Sequence, residues 1–149
     1  MPVTDEQVVL LLAYLTGEGQ AAQRAAAQIT AAGKADGFAE LAYAAFLIAA
    51  RRHFTPGSAR AEIIRFVART RALGAGEPDS LAAENELRSA LGETTSSMAP
   101  AEARTRARVI LLAALVASAG LAEDGVIDLL LEARRLAERM LAERAEARK

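Results

Sequence analysis

Residues 109–121 read VILLAALVASAGL, and only Ser118 and Gly120 interrupt the apolar character of the run. A helix that is apolar on every side must be covered on every side. Crossing a bilayer takes ~20 apolar residues, so this run is too short to span one. The reading is a central core helix, entered through the basic turn of Arg104, Arg106 and Arg108. Leu112 and Leu115 are then expected to be almost fully buried.

Outward from that helix, the chain alternates helical periods with capping and breaking residues. Thr4 is a good N-cap, and Asp5 and Glu6 stand in a first turn whose dipole favours anions. The helix that follows ends near Gly17. Residues 20–32 form an alanine-rich second helix with Ile29 as its one large apolar side chain. Asp36 is expected to cap a third helix, 37–54, with Phe38, Leu41, Ala42, Ala45, Phe46 and Ala49 at the three-and-four spacing of a buried face. Thr55-Pro56-Gly57-Ser58 breaks the chain and supplies Ser58 as the next cap. Helix 59–73 is expected to bury Ile63, Ile64, Phe66 and Val67. Helix 79–91 is expected to bury Leu81, Leu87 and Leu91. The polar stretch 92–100, GETTSSMAP, has no periodicity and reads as a loop. Helix 101–119 contains the central run. Asp124 is expected to cap a last helix, 125–146, with a stripe of Val126, Leu129, Leu130, Ala133, Leu136, Ala137, Met140 and Leu141. Arg134–Glu138 and Arg139–Glu143 stand four apart on its outer face.

No period-two run of β-branched residues appears. The fold expected is all-α: a single-domain antiparallel bundle of six or seven helices, with halves at about 1–92 and 100–149 joined by the polar loop. The 149 residues suit one domain. The chain is 52% hydrophobic but only 4% aromatic, so small side chains fill much of the core and leave little room for a large cofactor. A formal net charge of -1 gives no whole-molecule attraction to polyanions. The absence of cysteine excludes disulfides and thiol chemistry, and fits a reducing cytoplasm. Acidic residues precede the apolar run 8–15 where a secretory signal carries basic ones, so the start reads as a mature N-terminus.

No catalytic, metal or phosphate signature stands out, and no cofactor is expected. His53, the single histidine, lies at a helix C-terminus after Arg51 and Arg52, where cations suit the dipole. The cluster Thr94, Thr95, Ser96 and Ser97 lacks a partner base, and Gly74 and Gly76 lack the lysine and strand of a phosphate loop. Two surfaces remain. Residues 51–71 hold six arginines against one glutamate, with Arg51, Arg52, Arg60, Arg65 and Arg69 as the candidate anion or nucleic-acid patch. The blander account of this block is ion pairing with Asp79, Glu84, Glu86 and Glu93 on a neighbouring helix. The second surface is the distal end of the last stripe, Leu136, Met140 and Leu141, a candidate interface rimmed by Arg139, Glu143 and Arg144. In the competing account the N-terminal helix covers that strip within one chain.

The function read first is that of a cytoplasmic helical interaction module without catalytic activity. Its partner is a second copy of itself, as a homodimer, or another protein, and not a membrane. The alternative is a nucleic-acid-associated regulator acting through 51–71. A small-ligand binder or enzyme ranks third.

Overall fold

A computed structural model describes residues 3–17, 37–55, 57, 60–73, 79–93 and 100–148. The fold is all-α, as expected, with six helices and no strand among these residues. They are α1 (Asp5–Leu15), α2 (Phe38–His53), α3 (Arg60–Leu73), α4 (Ser80–Ala90), α5 (Ala101–Ala119) and α6 (Glu123–Ala147). The alanine-rich stretch 20–32, the caps Asp36 and Ser58, the turn 74–78 and the hydroxyl cluster 94–97 lie outside the described residues.

The chain forms two compact units. Met1–Ala45 and Gly120–Lys149 make the first; Phe46–Ala119 makes the second. The divisions fall within α2, between Ala45 and Phe46, and between the end of α5 and the start of α6.

In the first unit α1 lies against α6. The start of α1 is a capping box. The Thr4 hydroxyl accepts from the Gln7 backbone at 3.2 Å, and the Gln7 side chain accepts from the Thr4 backbone at 3.2 Å. At the far end Gly17 takes φ +80°, a conformation open to glycine and strained for other residues. Arg134, midway along α6, fastens this element. Its guanidinium donates to the Val3 carbonyl at 2.7 Å, to the Asp5 carboxylate and to Glu138 at 3.2 Å. The helix pair buries Val3, Leu10 and Leu11 from one side and Val126, Leu129, Leu130, Ala133 and Ala137 from the other. The cap of α6 departs from expectation. Ala122 holds the N-cap position without a side-chain bond, and Asp124 lies inside the first turn, where its charge meets the helix dipole.

In the second unit α4 packs on α3 and α5, and α3 also meets α5. Asp79 caps α4 by accepting from the Ala82 backbone at 3.1 Å. The helix buries Ala83, Leu87 and Ala90. Leu81 departs from the expected core and is 62% exposed, while Leu91 is half-buried at the C-cap. On α3, Ile63, Phe66 and Val67 point inward as expected, but Ile64 is 45% exposed. At ~100° per residue, Ile63, Phe66, Val67 and the buried Thr70 fall within one arc of about 100° around α3, and Ile64 lies outside it.

The more fully buried helix is α2, not α5. Leu41, Ala42, Ala44, Ala45, Phe46, Leu47, Ala49 and Ala50 are buried, and only Tyr43 and Ile48 are partly exposed along the middle of α2. The run 109–121 is one-sided instead. Leu111, Leu112, Leu115 and Val116 are buried, Leu112 and Leu115 to 0% and 2% exposure, but residues 117–121 are exposed. The exposed end of the run consists of Ala117, Ser118, Ala119 and Gly120 before Leu121, small groups whose exposure costs little.

Candidate functional site

The basic block 51–71 begins in the last turn of α2, which holds Arg51, Arg52 and His53 at the negative end of the helix dipole. All five expected patch residues, Arg51, Arg52, Arg60, Arg65 and Arg69, are exposed. They are not gathered into one patch. Arg51 turns to α4, where its Nε donates to the Ala90 carbonyl at 2.9 Å and caps that helix end. Arg60 stands about 140° round α3 from Arg65, so these two occupy different flanks. Arg65 and Arg69, four apart, share one flank.

That flank forms one wall of a cavity of about 510 Å³, lined by His53, Phe54, Glu62, Arg65, Ala68 and Arg69. Its aromatic side follows from local packing. Phe54 leaves α2 and packs edge-on to Phe66 of α3, ring centres 5.6 Å apart, with both rings buried. The exposed His53 ring lies 4.6 Å from Phe54 and 5.3 Å from Phe66. Thr70, one turn beyond Phe66, is buried and donates to the Phe66 carbonyl at 3.0 Å. The inner face of α3 is thus fixed, and its outer flank presents two guanidinium groups and the Glu62 carboxylate beside an aromatic surface.

Three of the four acidic residues expected to neutralise this block are engaged elsewhere, and the half-buried Glu84 makes no ion pair among the described residues. Glu86 is 4% exposed and accepts from Arg104 Nε at 2.9 Å and from Arg108 Nε at 2.8 Å, both on α5. Glu93 pairs with Arg88 at 3.3 Å, and Asp79 serves as the α4 cap. Among the described residues Arg60, Arg65, Arg69 and Glu62 make no ion pair. No three histidine, cysteine or acidic side chains among the described residues are placed to hold a metal ion.

The second candidate surface is less open. Leu136, Met140 and Leu141 are each half-buried. Arg144, expected on the rim of an interface, donates to Glu40 of α2 at 2.9 Å within the same chain. The Arg134–Glu138 pair expected on α6 is present at 3.2 Å.

Charge counting located the arginines but missed the cavity, because it set aside the apolar residues between them. Phe54 directly after His53, and Phe66 directly after Arg65, are the signal that was available. No helix among the described residues is long and apolar enough to cross a membrane. No protein-family model, curated protein or solved structure matches the chain.

Proposed function

We propose that the protein is a helical binding module that takes an anionic ligand in the cavity between the end of α2 and the outer flank of α3. One observation carries this reading: Arg65 and Arg69 are exposed side by side at a cavity, without an ion partner among the described residues. Guanidinium groups match the oxygens of a phosphate or carboxylate. A volume of about 510 Å³ lies within the roughly 300–1,000 Å³ of small-ligand sites. A half-open cavity with only two arginines favours a small anion over nucleic acid, whose backbone calls for a continuous basic track. The cysteine-free composition supports the cytoplasm as the place where the module works.

Amide NMR of the full chain titrated with inorganic phosphate at constant ionic strength tests the assignment. Shifts confined to residues 53–54 and 62–69 are expected. Shifts of equal size on every exposed arginine, or none, would remove it.

Self-association is a second reading, favoured by the exposed apolar side chains Val9 and Tyr14 of α1 and Leu131 of α6 in the first unit. Light scattering on wild type and on the double variant Val9→Glu/Leu131→Glu tests it. A dimer that becomes a folded monomer is the supporting result. A wild type that is monomeric at tens of micromolar sets it aside.

A further inference from the structure

The cavity carries one group that a site for a bare anion would exclude. Glu62 lines it together with Arg65 and Arg69. Glu62 precedes Arg65 by three residues and Arg69 by seven, so the three side chains follow one flank of α3 over two turns. The carboxylate forms no ion pair among the described residues, although two guanidinium groups stand on its own helix flank. An ionised carboxylate only accepts hydrogen bonds. Beside a bound anion it is repulsive unless the same ligand brings a donor to it.

We infer that the ligand is a small phosphomonoester carrying a hydroxyl or ammonium donor, the phosphate held by Arg65 and Arg69 and the donor by Glu62. This rests on the anion-binding reading and adds the second half of the ligand. Two guanidinium groups balance a phosphate dianion. The rise of ~1.5 Å per residue sets Glu62 roughly 5–10 Å along the helix from the arginines, the reach of a donor a few bonds from phosphorus. The Phe54 and His53 rings line the other side of the cavity, where they meet the carbon chain between the two polar ends.

Three probes separate the parts of this inference: ethyl phosphate, which lacks a donor, glycerol 3-phosphate, which has hydroxyls, and O-phosphoethanolamine, which has an ammonium. Each is titrated calorimetrically into the full chain at fixed ionic strength, as wild type and as Glu62→Ala. Glu62 stands in the first turn of α3, where a carboxylate suits the helix dipole; alanine gives up that interaction but keeps a high helix propensity, and circular dichroism checks that the variant is folded. In wild type, at least one donor-bearing probe binds about tenfold or more tighter than ethyl phosphate, the effect of one charge-assisted hydrogen bond. The tighter of the two identifies the donor. In Glu62→Ala that preference collapses, while ethyl phosphate binds as well as before or better. If ethyl phosphate matches both other probes in wild type, the role given to Glu62 is wrong and the anion site stands. If no probe binds, while a single-stranded oligonucleotide does so with a steep salt dependence, both readings fall in favour of nucleic acid.

Discussion

Glu86 shows what a single charged side chain decides in this protein. It is almost fully buried, and its two oxygens meet Arg104 and Arg108 separately. Removing the charge while keeping the shape, as in Glu86→Gln, leaves two guanidinium groups facing a neutral amide. The expected cost is about 3 kcal/mol, at the lower end for breaking a buried pair because Arg104 is partly exposed. Urea denaturation reads it directly. A change below about 0.5 kcal/mol, the scale of a surface pair, would show that the triad contributes nothing to the fold. Arg134 is the corresponding residue of the first unit. The Asp5 carboxylate that accepts its hydrogen bond holds the guanidinium above its ordinary pKa. A raised value means that this contribution is complete below the ordinary arginine range and is lost only as pH rises through the raised one. The arginine side of the clasp is therefore constant across neutral pH. Sequence spacing shows Arg134 with Glu138, four residues apart on one helix, but not Arg134 with Asp5, because that partner comes from the other end of the chain.

The helices themselves were legible because their ends are chemically marked. Thr4, Asp79, Gly17, Gly92 and Gly120 stand at or beside the ends where they were expected, and Gly92 and Gly120 take positive φ like Gly17. Burial was legible only where a large side chain stood at the right phase. Leu112, Leu115, Leu87 and Phe46 were placed correctly, while Leu81 and Ile64 were not. The difference is geometric: apolar character shows which side chains gain from burial, and only the neighbouring helices determine which of them receive cover. Paired substitutions make this measurable. Leu112→Ala is expected to cost ~2–5 kcal/mol, whereas Leu81→Ala stays within about ±0.5 kcal/mol. Equal costs at both positions would contradict the packing of the second unit.

At the scale of the whole molecule, the helix that matters most is α2. Its first half belongs to one compact unit and its second half to the other. With Leu41 to Ala50 almost entirely buried, the backbone amides of α2 are expected to be the slowest to exchange with solvent. Faster exchange there than in α5 would restore 109–121 as the centre of the fold. α2 also delivers His53 and Phe54 to the cavity at its end, so the best-covered element positions the candidate site. That site was only half legible in the sequence. The arginines were visible as a block, but the division of Arg60 from Arg65 and Arg69, and the diversion of Glu86 to α5, depend on helix phase and on packing. Arg65 and Arg69 together form the proposed anion site. Calorimetric titration of inorganic phosphate into wild type and into Arg65→Ala/Arg69→Ala, at fixed ionic strength and with matched urea midpoints, tests it most directly. A saturable site is expected in wild type, with an affinity lower by about tenfold or more in the double variant. Equal affinity in the two proteins, with the fold of both intact, would contradict it.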